Sequence, residues 1–476
     1  MGFVGRVREL EQLKEQLQVV IDGRRADAGV ALLLRGRRRV GKSRLVTEFV
    51  RRSGLPQVYF QAARGAPPAR ELDLFAQAVA TSTLPNAQIA AGNRPATLTA
   101  ALTLLAAALP DTPSVVILDE IPWLLEGIEG GAGELQRVWD NLLARKPVLL
   151  LLLGSDLALM EQLTRPDQPF YGRATEMVLH PLSPADTGRM TGLAPFETFD
   201  AHLITGGLPL VAQEWAEGAG PMEFLAASFG SSTSALVVAG TRALDAEFGE
   251  ASLTRQVLTA IGGKGERTFT SIQRAARGEP LNATSLTAAL TMLQHKRIVA
   301  ADEPLSQKAG RQDRRYRIAD PGLQFWLAFV EPALAEIDRG RPDLATARVA
   351  AGFASWRGRA IEPVVRQALE RLLPDARWPD VTSVGGWWPR TNNPEIDLVG
   401  ADRGASAQVI SFVGTLKWRS AGAVSANEVA TLATSASVVP GVGLGTSLVA
   451  VCPAGAGSAA GLAQVWDAAD LLAAWP

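Results

Sequence analysis

Residues 36–43 read Gly-Arg-Arg-Arg-Val-Gly-Lys-Ser, preceded by the apolar run Gly29-Val30-Ala31-Leu32-Leu33-Leu34 and followed by Arg44-Leu45-Val46-Thr47-Glu48-Phe49. The run before the loop has the length and composition of a buried strand, and the stretch after it continues as a helix. A glycine loop of the pattern GxxxxGK[ST] between strand and helix lets backbone N–H groups converge on phosphates at a helix N-terminus, where the dipole also favours anions. In that reading Gly36, Arg37, Arg38, Arg39, Val40 and Gly41 wrap the phosphates, with Arg44 at the helix start. Lys42 contacts the β- and γ-phosphates and the Ser43 hydroxyl ligates Mg²⁺, so ATP and Mg²⁺ are the expected ligands. The bland alternative is a basic, glycine-rich surface loop.

A second stretch, Ser114-Val115-Val116-Ile117-Leu118-Asp119-Glu120, reads as a buried strand carrying two carboxylates out at the C-terminal edge of the same sheet. Asp119 would hold the metal shell and Glu120 would polarise the attacking water, so hydrolysis rather than binding alone is expected. Without the loop these would be two acids ending a strand. Val148–Leu153 leads into Gly154-Ser155-Asp156, where Ser155 either senses the γ-phosphate or serves turn chemistry. Arg173, in Phe170-Tyr171-Gly172-Arg173, is a candidate catalytic arginine for its own or a neighbouring subunit's phosphate, with a plain surface arginine as the alternative.

Short apolar runs at Val58–Phe60, Val115–Leu118, Val148–Leu153 and Met177–Leu179 alternate with helical stretches, the signature of an α/β fold with a parallel sheet flanked by helices. The chain has 476 residues, too many for one ordinary core, and its 47% hydrophobic and 20% charged content is that of a protein folded throughout. A net charge of −1 argues against a chain built only to coat nucleic acid. One cysteine, Cys452, excludes an internal disulfide or a cysteine-based metal site, and His180, His202 and His295 lack ligand spacing. There is no Gly-x-Ser-x-Gly elbow, no signal-peptide pattern and no run long enough to span a bilayer, so a cytoplasmic protein without a membrane partner is expected.

Beyond the first module, residues 1–183, the pattern predicts a helical region over 184–250. In 251–337 three helices and a hairpin, Arg297–Ala300 with Arg315–Ile318, suggest a winged helix. From Ser252 to Asp320 there are twelve Lys and Arg against six Asp and Glu, so this segment is the one suited to phosphates. A role on double-stranded DNA would put helix Ser285–Gln294 in the major groove and Lys296, Arg297, Arg314 and Arg315 on the backbone. That helix offers Ser, Thr, Ala and Leu rather than base-reading side chains, which leaves a purely structural wing open. Asp338–Asp343 reads as a linker to a last α/β block, 344–476, opened by a helix over Ala360–Leu373.

Taken in order, Phe3-Val4-Gly5-Arg6 with Glu9-Leu10, then GRRRVGKS, LDEIPWL (118–124), LLGSD (152–156), FYGR (170–173) and TGGLPL (205–210) resemble the archaeal-type P-loop ATPases related to AAA+ and STAND NTPases, over residues 1–330. The resemblance implies that Val4, Gly5 and Arg6 border the adenine and that Pro209 closes over it from a helical lid. Asp156 departs from the family, which often carries a small polar residue there.

Glu362, Asp397 after Gly385-Gly386-Trp387-Trp388, and Lys417 resemble the metal-binding set of a restriction-endonuclease-like (PD-(D/E)XK) core. Thr415 stands where such a core carries its second strand carboxylate, so a degenerate domain kept for contact is the expectation, with weak cleavage as the alternative. The resulting expectation is an ATP-hydrolysing, DNA-associated protein. The alternatives are a STAND-type switch acting on protein partners, a homo-oligomer among them, and an ATP-controlled nuclease.

Overall fold

The computed structural model describes residues 2–23, 28–155, 157–247, 252–275, 281–308, 313–404, 406–455 and 461–475, and the chain divides into two compact units, 1–181 and 182–476. Asp156 and residues 276–280, within the segment expected to hold three helices and a hairpin, lie outside the described residues.

The first unit is built on a five-stranded sheet: β1 (Val30–Arg35), β2 (Gln57–Gln61), β3 (Ser114–Asp119), β4 (Val148–Gly154) and β5 (Ala174–Val178), in the order β2-β3-β4-β1-β5. Every pairing is parallel. Its helices are α1 (Val7–Asp22), α2 (Lys42–Ser53), α3 (Pro68–Ala80), α4 (Leu98–Ala108), α5 (Ile121–Glu126), α6 (Gly131–Asn141) and α7 (Leu157–Leu163).

Alternation along the strands sends Ala31, Leu33, Val58, Phe60, Val116, Leu118, Leu150 and Leu152 to one face, where α3, α4 and α6 complete an apolar cluster. Helices α1 and α2 pack against β1, β3 and β4, and their buried Leu13, Leu17, Leu45 and Val46 stand outside that cluster. With both faces covered, β3 and β4 are buried at every residue, which is why they read as unbroken apolar runs. Each fully buried leucine contributes roughly 1.5–3 kcal/mol. A parallel sheet fixes all strand ends of one polarity on one edge, so the loops after β1, β3 and β4 emerge together.

The second unit opens with α8 (Pro184–Thr191), α9 (Pro195–Thr205), α10 (Pro209–Ala212), α11 (Pro221–Phe229) and α12 (Ala235–Glu247). Next come α13 (Leu253–Ile261), β6 (Arg267–Thr268), α14 (Phe269–Ala275), α15 (Ala283–His295), β7 (Val299–Asp302) and β8 (Arg315–Ile318), with the strands antiparallel in the order β6-β8-β7. The short strand β6 is an addition to the expected hairpin.

Helices α16 (Pro321–Phe325), α17 (Leu334–Asp338), α18 (Pro342–Ala360) and α19 (Glu362–Leu372) lead to β9 (Ser383–Trp387), β10 (Ile396–Ala401), β11 (Ile410–Leu416), α20 (Ala426–Ala436), β12 (Ser447–Val451), β13 (Gln464–Trp466) and α21 (Ala468–Leu472). This last sheet runs β13-β12-β11-β10-β9, antiparallel among β9, β10 and β11 and parallel from β11 to β13.

The stretch expected to be a linker is a tight turn. Arg339–Arg341 separate α17 from α18, and Pro342 starts the second helix, where its missing N–H costs nothing. One apolar cluster runs from Phe199 to Trp475 through most of this unit, and separate clusters lie under α20. The Trp326 and Trp356 indole N–H groups donate to Val237 O at 2.9 Å and Gly263 O at 2.8 Å, satisfying the polar tips of two buried rings. Among the described residues, no helix is long and apolar enough to cross a membrane.

Candidate functional site

The loop after β1 is shaped by its glycines. A Cβ on Gly36 would stand 2.6 Å from Leu179 O, and Gly41, at φ 93°, has the left-handed backbone that turns the chain into α2. Helix α2 begins at Lys42 with no side-chain cap and no acid in its first turn, so its N-terminal amides and dipole are left for an anion. Buried Lys42 donates from Nζ to Gly36 O at 2.7 Å and Arg37 O at 3.2 Å. Burial pushes its ammonium down to about 8, against the opposing pull of Glu120 and Asp119.

The Ser43 hydroxyl donates to Asp119 Oδ2 at 2.6 Å. The same oxygen accepts from the Tyr59 hydroxyl at 2.5 Å, and Oδ1 accepts from the Glu120 N–H at 2.9 Å. A hydroxyl and a carboxylate in contact at the start of a helix form an oxygen donor set that fits a hard divalent cation such as Mg²⁺. Glu120 itself sits at φ 53°, an uncommon conformation for a side-chain-bearing residue, which turns its carboxylate toward β4. There it accepts from Ser155 N at 3.2 Å and Ser155 Oγ at 3.0 Å. Strand β4 lies between β1 and β3, and its tip anchors the acid that follows β3.

Arg6, also in left-handed conformation and buried, donates from Nη2 to Val40 O at 2.9 Å and from Nη1 to Glu9 at 2.8 Å. Half-buried Val4 and Gly5 are thereby tethered to the phosphate loop. Arg38, Arg39 and Arg44 are exposed and Arg37 is half-buried.

Arg173 is not brought to this site. Ala174 pairs with Ala31 and Val178 with Arg35, so Arg173 is level with the start of β1, roughly 16 Å along the strand from the loop edge. Its guanidinium makes a two-pronged contact with Asp140 at 2.7 and 2.8 Å and also donates to Pro169 O and Tyr171 O. This placement disfavours a role on the chain's own phosphates and leaves the neighbouring-subunit and plain surface readings of Arg173 open.

Pro209 opens α10 in the second unit, after a turn that only glycine fits: a Cβ on Gly207 would stand 2.2 Å from Leu182 O, and one on Gly206 2.7 Å from Asp320 Oδ1.

In the last sheet, Asp397 and Lys417 line one cleft of about 190 Å³ together with Glu395, Thr415 and Glu428. Asp397 Oδ2 accepts from Thr415 Oγ1 at 3.0 Å and Leu416 N at 2.7 Å. Glu428 is tied to Arg419 and to the Ser425 cap. Glu362 joins this group through Arg366, which donates to Glu362 Oε2 at 2.8 Å and to Asp397 O at 3.1 Å. Burial, with Asp397, Glu266 and Glu395 nearby, pushes Glu362 up to about 8 despite Arg366. Among the described residues there is no group of three or more His, Cys, Asp or Glu able to hold a metal ion.

The basic segment departs from expectation at the pair β7 and β8. Arg314 pairs with Glu303. Arg315 contacts Glu266 at 3.2 Å, Asn392 at 2.8 Å and Glu395 at 2.5 Å, and stacks on Trp388. Arg317 pairs with Asp302 at 2.6 Å. The outward side of α15 presents Thr284, Thr287, Ala288, Thr291, Met292 and His295, without an arginine.

A strap follows β7. Leu305 N donates to Gly386 O at 2.8 Å, Gln307 N to Pro440 O at 3.1 Å, and Ala407 N to Ser306 O at 3.0 Å, while Leu305 is buried among Trp387, Ile396 and Val399. Two arginines expected on DNA phosphates are therefore held by carboxylates of their own chain.

The parallel sheet, the glycine loop leading into α2 and the acidic end of β3 define a P-loop NTPase fold, with an additional C-terminal sheet domain. The family model DUF234, described as Archaea bacterial proteins of unknown function, matches residues 326–429. Uncharacterized protein MJECL04 of Methanocaldococcus jannaschii is 24% identical over 406 residues, covering 83% of this chain and 84% of its own length. Among solved structures, the Walker-type ATPase PABY2304 of Pyrococcus abyssi is similar with a TM-score of 0.47 and 19% identity, over 68% of this chain and 96% of that one. The Aeropyrum pernix ORC2 protein, solved in ADPNP–ADP complexes, gives a TM-score of 0.45 and 14% identity, over 73% and 96%.

Proposed function

We propose that the chain binds ATP with Mg²⁺ between the loop at 36–43 and the end of β3, and hydrolyses it. The single observation that carries this reading is the contact of Ser43 Oγ with Asp119 Oδ2 at 2.6 Å, beside an uncapped helix start. Mg²⁺, when bound, neutralises charge on the terminal phosphates. Ser43 and Asp119 are the residues that would hold it. Lys42, two bonds away from being released by its loop carbonyls, is the phosphate cation, and Glu120 orients the water from the position that Ser155 fixes. Val4 and Gly5 border the adenine, Pro209 belongs to the region read as a helical lid, and Arg173 acts only toward a neighbouring subunit.

The test is Mg²⁺-dependent phosphate release by the full chain. Lys42→Ala should abolish nucleotide binding and Glu120→Gln should retain ATP unhydrolysed. Full turnover in either variant would overturn the assignment.

For the second unit we infer a helical lid over 184–250, a winged helix over 251–337 and a degenerate nuclease-like block over 344–476, acting in the cytoplasm. Association with duplex DNA then rests on the exposed Lys264, Arg267, Arg274 and Arg297 rather than on the wing. The commitment of Arg314 and Arg315 to acids of this chain favours the second reading, a nucleotide-dependent switch acting on protein partners. ATPase stimulation by DNA that fades steeply with salt decides for the first; its absence at low salt decides for the second. The commitment of Asp397 Oδ2 to Thr415 and Leu416 weighs against cleavage, and nicking lost on Asp397→Ala would reverse that judgement.

A further inference from the structure

Asp119 has a partner that no phosphate-binding motif supplies. Strand β2 pairs with β3 so that Gln61 stands opposite Asp119 and Tyr59 opposite Ile117. Tyr59 and Asp119 are therefore diagonal neighbours on one face, a separation of about 7 Å that a long aromatic side chain spans. Val58 and Phe60 point the other way into the apolar cluster, so Tyr59 is not needed there. Its hydroxyl instead donates to Asp119 Oδ2 at 2.5 Å, on the oxygen that also accepts from Ser43.

A carboxylate at a strand tip has two rotatable bonds and is aimed only by what it touches. Glu120 N fixes one oxygen and two hydroxyls fix the other. If Ser43 turns its lone pairs to a cation, its hydroxyl is drawn away from Asp119, and Tyr59 is the side-chain donor that stays. We infer that Tyr59 is a positioning residue for the metal-binding pair: its hydroxyl holds Asp119 in the orientation that faces Ser43. The inference rests on the ATP and Mg²⁺ reading above.

The test uses the full chain, a fluorescent N-methylanthraniloyl-ADP and MgCl₂. Tyr59→Phe keeps the ring and removes the donor. Its nucleotide affinity in EDTA should equal the parent's, while the Mg²⁺ concentration giving half of the metal-dependent gain in affinity should rise about tenfold, as expected for losing a hydrogen bond to a charged group. A Mg²⁺ titration superimposing on the parent's would overturn the inference. So would an equal loss of affinity in EDTA, which marks a merely structural role.

The parent supplies a second readout that does not require the variant to fold. The chain has three tyrosines, so ¹³Cζ-tyrosine NMR gives three signals. One of them should move on adding Mg²⁺ to the ADP complex, and three unmoved signals would overturn the inference. A parent that binds no nucleotide with or without Mg²⁺ would sink the ATP reading itself, a failure told apart because it appears before any substitution is made.

Discussion

Ser43 Oγ and Asp119 Oδ2 meet at 2.6 Å although 76 residues separate them in the chain. The helix start after β1 and the tip of β3 supply one residue each, and β4 sets the gap between those strands. Ser43→Ala should leave metal-free nucleotide binding within about twofold of the parent and remove most of the Mg²⁺-dependent gain, with turnover falling by about a hundredfold or more. Nucleotide titrations in EDTA and in Mg²⁺ measure the two parts separately. Equal loss in both would mean that Ser43 serves the loop rather than the metal.

Ser155 was read as a sensor of the γ-phosphate or as turn chemistry, and its contacts suggest a further task. Its N–H and hydroxyl both serve Glu120. Ser155→Ala should lower kcat by about tenfold while the affinities for ATP and ADP stay in their parental ratio. A change in that ratio, measured by competition, would restore the sensor reading.

The pH dependence of nucleotide binding follows from Lys42. Burial pushes it from 10.5 down to about 8, so the free protein loses this charge as pH rises through that value. Bound phosphates favour the ammonium, so the complex keeps the proton. Affinity should be level from pH 6 to 7 and should fall above about pH 8, approaching tenfold per unit, with proton uptake on binding. Calorimetry in two buffers of different ionisation enthalpy counts those protons, and zero uptake at pH 9 contradicts the assignment. For folding the sign is reversed: between about 8 and 10.5 the unfolded chain carries a proton that the folded one lacks, so this group's penalty is relieved as pH rises.

Arg315 and Arg297 separate the structural basic residues from the exposed ones. Arg315 is a hub between β8 and the segment before β10, whereas Arg297 lies in the open. Arg315→Ala should cost about 2–3 kcal/mol of stability, because it leaves Glu266 and Glu395 without their cation and strips Trp388 of its stacking partner. Arg297→Ala should leave stability within about 0.5 kcal/mol. Urea unfolding measures both. An Arg315→Ala chain with parental stability and weakened DNA binding would return Arg315 to the DNA surface.

The phosphate loop, the acidic strand and the sheet's parallel character were legible because each is written in contiguous residues whose local preferences agree. The alternatives for Arg173 stayed open because a motif does not say at which end of a strand it falls, and the pairing of Ala174 with Ala31 puts it away from the chain's own loop. The basic count over 252–320 was correct but mute on partners, since Glu395 and Trp388 lie far downstream. Asp338–Asp343 carries the chemistry of a loop, yet Pro342 is equally the chemistry of a helix start, and packing chose the helix. Tyr59 was invisible for the same reason as Arg173: its role exists only in the register of β2 on β3.

The strap through Leu305 has a consequence for synthesis. Its side chain belongs to a core completed by Ile396 and Val399, and its neighbour Gln307 bonds to Pro440 O. A chain emerging residue by residue can close the first sheet once β5 is out, but in the second unit the Leu305 side chain stays uncovered until about ninety further residues have left the ribosome. Through that delay its apolar side chain has no core to enter, and the order of synthesis leaves the second unit the later of the two to close.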